Sequence, residues 1–211
     1  MKATAVLPVK RIAAAKQRLG LDGPRRRALV SAMLEDVLEA ISGARMVERI
    51  LVVTGEPAAE RIAHATGAEV LADPGDEGHS EAALIGIRRA LELGADCVVL
   101  LPGDCPLLDP RELDSLLSAV GERYVAVVPD RHGSGTNALV LSPPNAIRPA
   151  FGEGSRERHV AAARDAGIPF YVEEVASLAV DLDTPADIIA LTREIDAGRG
   201  GGVRTAKALG I

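Results

Sequence analysis

The chain has 211 residues, of which 47% are hydrophobic and 26% charged, a composition typical of a soluble globular protein with material for one core. A net charge of −6 argues against a general nucleic-acid binder, four aromatic residues are too few for a base-stacking platform, and no apolar run reaches the roughly 18 residues that a membrane span needs. The charge is uneven, because residues 1–27 hold eight Lys or Arg and one acid, which gives this segment +7 and leaves −13 for the remainder.

Apolar runs alternate with amphipathic stretches through the first 130 residues. The runs are rich in Val and Leu and continuous, which predicts strands buried on both faces of a parallel sheet. They lie at 3–9, 50–54, 69–72, 97–101 and 124–128. Between them, apolar residues spaced three and four apart predict helices around 30–41 and 84–91, and the pair Asp109-Pro110 predicts the start of a helix over 110–119.

The rhythm changes after residue 130. The sequence there predicts a strand at 137–142, a helix at 155–166 and a strand at 169–175. Thr184, Pro185 and Asp187 are the residue types of a helix N-terminus, so a further helix is predicted to begin at this point.

This order of elements predicts an α/β fold: a Rossmann-like open sheet, mixed but mostly parallel, with helices on both faces. We expect one domain over residues 1–197. Four Gly in the first five residues of 198–211 predict a flexible C-terminal tail. Ligands of such sheets bind beyond the carboxyl ends of the strands, so the segments that follow the strands are the candidate sites.

The segment after the first strand is rich in cations. Lys10, Arg11, Lys16 and Arg18 lie within nine residues, and clustered Lys and Arg raise the local positive potential and donate hydrogen bonds to phosphate oxygens. The segment contains no Walker pattern. Its charge alone favours a solvated basic loop, but its position directly after the first strand favours phosphate binding and makes it a candidate polyanion site.

Carboxylates follow two other strands. Asp104 stands in the turn Gly103-Asp104-Cys105-Pro106, and Asp181 and Asp183 alternate on an extended segment, so that both point to one side. Such oxygens suit Mg²⁺, which takes one or two protein carboxylates and completes its shell with water and phosphate. The alternatives are an Asp104 that binds turn amides and an Asp183 that caps the next helix.

Two glycine-rich turns are candidate anion sites. The segment 133–138 formally matches the dinucleotide pattern GxGxx[GA], but a strand rather than a helix follows it, so a Rossmann cofactor loop is rejected. Thr136 remains a candidate hydroxyl donor to an anion. Gly152 and Ser155 lie where the next helix starts, and Ser155 either helps to bind an anion or serves only as the helix cap.

Other reactive residue types give weaker signals. Cys97 and Cys105 lack CxxC spacing, and 3–9 is too short for the apolar part of a secretory signal, so we expect reduced thiols in a cytoplasmic protein. The four His are widely separated, and each is expected to be structural or exposed. The pattern that remains is cations at one strand end and carboxylates at two others, which phosphoryl or nucleotidyl transfer requires.

These motifs, read together, resemble the CofC/FbiD guanylyltransferases of coenzyme F420 biosynthesis, distant relatives of the MobA-like nucleotidyltransferases. The resemblance covers about residues 2–195 in the right order. It implies a nucleotide-diphospho-sugar transferase-like fold, with residues 1–197 as the nucleotidyltransferase domain. It is carried by the following segments: 8–19 (PVKRIAAAKQRL), 103–106 (GDCP), 135–138 (GTNA), 151–155 (FGEGS) with Arg158-His159, and 181–185 (DLDTP).

The resemblance implies an Mg²⁺-dependent enzyme that transfers GMP from GTP to phosphoenolpyruvate. Pyrophosphate is released, and the product is enolpyruvoyl-2-diphospho-5′-guanosine. By position it implies metal ligation by Asp104 and Asp181, phosphoenolpyruvate contacts from Thr136, Gly152 and Ser155, and a triphosphate site at Lys10, Arg11, Lys16 and Arg18. Lys16, Asp104 and Asp181 are the implied catalytic residues. No nucleic-acid or membrane partner is implied.

Three alternatives remain open at this stage. The acceptor can instead be 2-phospho-L-lactate, although the Ala- and Arg-rich chain resembles bacterial members, for which phosphoenolpyruvate is the usual acceptor. A molybdopterin-type nucleotidyltransferase keeps the fold but has a Gly-rich first loop, which this chain lacks. A nucleotide-binding module without turnover would not need both Asp104 and Asp181. Where relatives often have Asn, residues 78–84 read GHSEAAL, which weakens the expectation of guanine contacts there.

Overall fold

The computed structural model describes residues 2–10, 16–75 and 77–211. Its strands are β1 (Ala3–Val9), β2 (Val47–Thr54), β3 (Glu69–Ala72), β4 (Val98–Leu100), β5 (Tyr124–Val128), β6 (Ala138–Ser142) and β7 (Phe170–Val172). Its α-helices are α1 (Gly23–Gly43), α2 (Pro57–Ala65), α3 (His79–Glu92), α4 (Pro110–Ser118), α5 (Ser155–Asp165), α6 (Pro185–Asp196) and α7 (Val203–Leu209). Short 3₁₀ turns occupy Gln17–Leu19 and Ala176–Leu178.

The strands form one mixed sheet in the order β3-β2-β1-β4-β6-β5-β7. The pairs β3-β2, β2-β1, β1-β4 and β5-β7 are parallel, and β6 runs antiparallel to both of its neighbours. The predicted α/β class with an open, mixed and mostly parallel sheet is confirmed.

Apolar clusters cover both faces of the sheet, as the continuous apolar strands predict. Leu7 packs with Leu34 of α1 on one face, while Val6 packs with Ile87 of α3 on the other. Helix α3 approaches β1 so closely that a Cβ added to Gly86 would overlap the Val6 side chain. Each fully buried Leu or Ile contributes roughly 1.5–3 kcal/mol by leaving water, which holds the helices firmly against the strands.

The helix starts follow the predicted capping chemistry. Asp109 accepts a hydrogen bond from the backbone N–H of Arg111, with Pro110 in the first turn of α4. Thr184 and Asp187 form a capping box at the start of α6, and the Asp187 carboxylate also binds the Arg131 guanidinium. These caps fix where the segments that precede α4 and α6 leave the sheet.

The end of the chain differs from the flexible tail that its glycines predict. Residues 203–209 form α7, which packs on α1. Asp36 of α1 is buried and accepts hydrogen bonds from the backbone N–H groups of Arg204 and Thr205 and from the Thr205 hydroxyl. The buried Asp36 carboxylate thus anchors the first turn of α7. Asp36 is far from α7 in the sequence, so the composition of residues 198–211 alone does not predict this contact.

None of the helices within the described ranges is both long and apolar enough to cross a bilayer.

Candidate active site

The candidate site is a cleft of about 590 Å³ at one edge of the sheet. Strands β1 and β4 are parallel, so the residues that follow them meet at this edge. Strand β6 is antiparallel to β4, and it is therefore the residues before β6 that lie here. This topology brings Lys16, Asp104, Thr136, Ser155 and Asp181 to the wall of one cleft.

Lys16 lies between two carboxylates. Its ammonium donates to Asp104 Oδ2 at 2.5 Å and to Asp183 Oδ1, and its side chain is only 9% exposed. The Lys16 backbone is left-handed, with φ of 56°, a conformation that few non-glycine residues adopt. Burial alone would lower the pKa of Lys16, but the charges of Asp104 and Asp183 outweigh it and raise that pKa above its ordinary value. Lys16 is therefore a fully charged, largely buried cation.

Asp181 is held beside Asp104 by its surroundings. The Asn137 side-chain amide donates to Asp181 Oδ1 at 3.3 Å and to the Leu178 carbonyl at 2.7 Å. The Leu182 N–H donates to the Asp104 carbonyl, which ties the two acidic segments together. Burial and the negative charge of Asp104 raise the pKa of Asp181, while the hydrogen bond from Asn137 opposes this rise. Asp181 is thus a carboxylate that an added cation would stabilise.

These acids fit the donor chemistry of Mg²⁺. Asp104 and Asp181 offer two carboxylates in one cleft, and the position of the Lys16 ammonium against Asp104 shows that this corner attracts a cation. Within the described ranges there is no group of three or more His, Cys, Asp or Glu arranged to hold a metal by themselves. A hard cation bound here would have to complete its shell with water and ligand oxygens, which is how Mg²⁺ is usually held.

A second polar cluster faces the cleft from β6 and α5. The Ser155 hydroxyl donates to Thr136 Oγ1 at 3.1 Å, and His159 Nδ1 lies 3.1 Å from the same oxygen. The Ala150 backbone N–H donates to His159 Nε2 at 2.8 Å. Ser155 and His159 are almost fully buried. Burial, reinforced by the charge of Arg158, lowers the pKa of His159 to about 4, so the ring is neutral near pH 7.

The glycine-rich turn before α5 has a defined shape. Gly152 and Gly154 have φ of 111° and 69°, which favours glycine at both positions. The Arg158 guanidinium donates to the carbonyls of Ala150, Phe151 and Glu153 and so braces the turn. The N-cap of α5 is Gly154, which corrects the cap interpretation of Ser155: the Ser155 hydroxyl is directed to Thr136 instead.

The basic loop after β1 is only partly described. Lys10 lines the cleft and is exposed, and Arg18 is exposed and pairs with Asp183 at 3.3 Å. Arg11 lies outside the described residues. The predicted triphosphate site therefore has Lys16 as its buried member and Lys10 and Arg18 at its rim.

His79 occupies the start of α3, in the segment 78–84 where the expectation of guanine contacts was weakened. It is half-buried, lines the cleft, and meets the Phe151 ring edge-on with centroids 4.8 Å apart. Burial, together with the charges of Lys10 and Lys16, lowers the pKa of His79 to about 4, against the opposing effect of Asp104. A neutral ring here adds little charge to the cleft.

The sequence did not reveal the roles of three residues. Asp183 binds Lys16 rather than capping the next helix. Its alternation with Asp181 along an extended segment was the feature of the sequence that favoured a cation contact. Asn137 and His159 bind other site residues rather than the open cleft. The available signal was position: Asn137 directly follows Thr136, and His159 follows Ser155 by four residues.

Comparison with known proteins places these features in a family. The family described as "Guanylyl transferase CofC like" matches residues 3–196. A phosphoenolpyruvate guanylyltransferase of Conexibacter woesei is 46% identical over 209 residues, covering 97% of this chain and 94% of that protein. One of Sphaerobacter thermophilus is 42% identical, covering 94% of this chain and 96% of that protein.

Solved structures agree on the fold. A nucleotidyl transferase from Methanothermobacter thermautotroptrophicus superposes with a TM-score of 0.67 at 19% identity, covering 93% of this chain and 99% of that one. At this identity the likeness shows the fold alone.

Proposed function

The chain belongs to the family of CofC-like guanylyl transferases, and from this membership we propose that it transfers the guanylyl group of GTP to phosphoenolpyruvate and releases pyrophosphate. The two relatives above carry that activity in their names and align with almost the whole chain. The product is enolpyruvoyl-2-diphospho-5′-guanosine, an intermediate for coenzyme F420 biosynthesis.

The observation that carries the proposal is that one cleft holds two polar clusters of different chemistry. Lys16, Asp104 and Asp181 supply a buried cation and two carboxylates, while Thr136 and Ser155 supply hydroxyl groups. The first cluster suits a nucleoside triphosphate with its counter-ion, and the second suits a small anion. A reaction between two phosphate compounds needs both clusters within one cleft.

The reaction requires little acid–base chemistry from the protein. An oxygen of the phosphoenolpyruvate phosphate attacks the α-phosphorus of GTP, and a new phosphorus–oxygen bond forms. The bond from the α-phosphorus to the oxygen that bridges to the β-phosphate breaks, and pyrophosphate leaves with the electron pair. Because a phosphate monoester has its second pKa near 6, the attacking oxygen is largely ionised at neutral pH and no general base is needed.

Electrostatic stabilisation is the main contribution of the residues. Two polyanions must approach each other, and negative charge builds up on the leaving pyrophosphate. Lys16 is the buried cation positioned to offset that charge, with Lys10 and Arg18 at the rim adding positive potential. In the structure the positive charge of Lys16 is balanced by the carboxylates of Asp104 and Asp183. Binding of the triphosphate therefore requires the ammonium to exchange these partners for phosphate oxygens.

We assign Asp104 and Asp181 as the residues that hold Mg²⁺. When bound, the cation would neutralise phosphate charge and help to align the phosphate groups. Asn137 keeps the Asp181 carboxylate oriented, and the Leu182 N–H holds the two acidic segments in register. Thr136 and Ser155, with the turn at Gly152, would bind the three-carbon acceptor in the same cleft.

The test is pyrophosphate release measured for each of the four nucleoside triphosphates with phosphoenolpyruvate, 2-phospho-L-lactate or a molybdopterin, with Mg²⁺ and with a chelator, together with a measurement of GTP binding. We expect release with GTP, phosphoenolpyruvate and Mg²⁺, and a capped product of the matching mass. Preference for 2-phospho-L-lactate would change the acceptor, and turnover only with a molybdopterin would change the enzyme class. GTP binding without release for any acceptor would make the chain a binding module.

A further inference from the structure

His159 is a buried histidine that the reaction itself does not use. Its side chain is fully enclosed, and its two ring nitrogens face different partners, the Ala150 backbone N–H and the Thr136 hydroxyl. These contacts determine where the ring carries its proton.

The Ala150 N–H is a donor that cannot reverse. Since it donates to Nε2 at 2.8 Å, Nε2 has no proton of its own. A neutral imidazole carries one proton, which must therefore be on Nδ1. The Nδ1–H group then donates to Thr136 Oγ1, 3.1 Å away. The low pKa that burial gives His159 agrees with a neutral ring.

The Thr136 hydroxyl is consequently left with one role. A threonine hydroxyl has two lone pairs and one proton. One lone pair accepts from His159 and the other from the Ser155 hydroxyl. The proton of Thr136 finds no acceptor among the described residues and Oγ1 borders the cleft, so the proton is directed there. If Thr136 and Ser155 exchange roles as donor and acceptor, the Ser155 proton takes the same path.

We propose that His159 is a positioning residue that makes the Thr136–Ser155 pair a hydrogen-bond donor toward an anionic acceptor. In the other tautomer, Nδ1 would accept the Thr136 proton, and the hydroxyl would turn a lone pair toward the incoming anion. The Ala150 N–H prevents this arrangement, so the backbone of the glycine-rich turn sets the polarity of the acceptor site. The inference rests on the proposed function, because an anionic three-carbon phosphate is the ligand that needs donors at this place.

Two substitutions separate the two contacts of His159. His159→Asn places an amide N–H where Nδ1 lies, so it retains a donor to Thr136 and loses the acceptor for Ala150. His159→Gln places an amide oxygen where Nε2 lies, so it retains the acceptor for Ala150 and loses the donor to Thr136. Each variant is assayed for kcat and for the KM of phosphoenolpyruvate and of GTP.

We expect His159→Gln to raise the KM for phosphoenolpyruvate roughly tenfold, the effect of weakening one hydrogen bond to a charged group, with the KM for GTP unchanged. His159→Asn should stay within about threefold of the unmodified protein. In a Thr136→Val background the His159→Gln effect should disappear, because the hydroxyl through which His159 acts is gone. Equal losses in both variants, a larger loss in His159→Asn, or additive effects in the double variant would overturn the proposal.

A measurement without turnover decides the same point if a variant fails to fold. The ¹⁵N spectrum of the histidine rings in the unmodified protein should show His159 with its proton on Nδ1. A proton on Nε2 would overturn the inference. Absence of pyrophosphate release by the unmodified protein would instead contradict the proposed function, so the two failures can be told apart.

Discussion

Lys16 and Asp104 are 88 residues apart in the chain, and their charged groups lie 2.5 Å apart in the cleft. Asp183 accepts from the same ammonium and Asp181 is close enough for the charge of Asp104 to affect its pKa, so one cation lies within a group of three acids. The Lys16 ammonium thus balances the negative charge of Asp104 and Asp183. A divalent cation and a triphosphate that bound here would change these ion pairs. The predicted catalytic residues therefore form one electrostatic unit.

Replacing Asp104 should stop turnover and leave the fold intact. Asp104→Asn keeps the size of the side chain but removes the charge that pairs with Lys16 and that the proposed Mg²⁺ site requires, and we expect a loss of at least about 100-fold in kcat. The measurement is Mg²⁺-dependent pyrophosphate release together with the circular dichroism spectrum. Asp165→Asn, at the exposed end of α5, is the matched control. Near-normal release by Asp104→Asn at saturating Mg²⁺ would remove Asp104 from the metal site.

Replacing Lys16 should make stability depend on the added cation. In Lys16→Met the carboxylates of Asp104 and Asp183 lose their shared partner, and we expect a loss of about 1–3 kcal/mol in the free energy of unfolding in a chelating buffer. Added Mg²⁺ should restore more stability to this variant than to the unmodified protein, because it offsets the same charges. Thermal melts with and without Mg²⁺ give both values.

Arg18→Met is the control for Lys16→Met, since Arg18 is 74% exposed and its pair with Asp183 contributes little. It should melt close to the unmodified protein. An equal gain from Mg²⁺ in the Lys16→Met variant, the Arg18→Met variant and the unmodified protein would show that Mg²⁺ does not act at the acids that Lys16 neutralises.

The sequence predicted this unit because its members follow strands, and the ends of parallel strands meet at one edge of the sheet. Asp104, four residues after β4, needed only this rule, whereas Asp181 lies nine residues beyond β7 and was identified by its alternation with Asp183 and by the motif that carries the resemblance. The role of His159 depends on a contact across the space between β6 and α5, and no local pattern encodes which nitrogen faces Ala150. The strand positions were predictable because the apolar runs are continuous.

The elements that were missed lack such a signal. Helix α2 buries only alanines, Ala59 and Ala63, and so shows no stripe of large apolar side chains. Helix α7 follows a run of glycines, and its anchor is the distant Asp36. Both helices are determined by tertiary contacts rather than by the periodicity of their own residues.

The low pKa of His159 predicts a loss of stability in mild acid. The unfolded chain binds this proton near pH 6.5 and the folded chain only near pH 4, so between these values the unfolded state holds more protons. The free energy of unfolding should therefore fall as the pH falls through this range, by up to roughly 3 kcal/mol from His159. His79 acts in the same direction.

Urea denaturation at intervals from about pH 7 to about pH 5 isolates the contribution of His159. His159→Gln has no ring to protonate and should lose less stability over this range than the unmodified protein. His132→Gln, at an exposed position, should follow the unmodified protein. Parallel curves for all three proteins would contradict the buried, neutral state of His159.

The anchoring of α7 by Asp36 can be tested with a matched pair of substitutions on one face of α1. Asp36→Asn replaces the buried carboxylate with an amide whose NH₂ group cannot accept hydrogen bonds from Arg204 and Thr205. We expect a loss of about 2–3 kcal/mol in the free energy of unfolding. Glu39→Gln removes an exposed partner of the same Arg204 and should cost less than about 1 kcal/mol. Urea denaturation measures both losses, and the rate of trypsin cleavage near Arg204 reports whether α7 detaches. Because the buried hydrogen bonds of Asp36 rather than the surface charge of Glu39 hold α7, we expect faster cleavage in Asp36→Asn alone. Equal cleavage of the two variants would assign the anchoring to Arg204 instead.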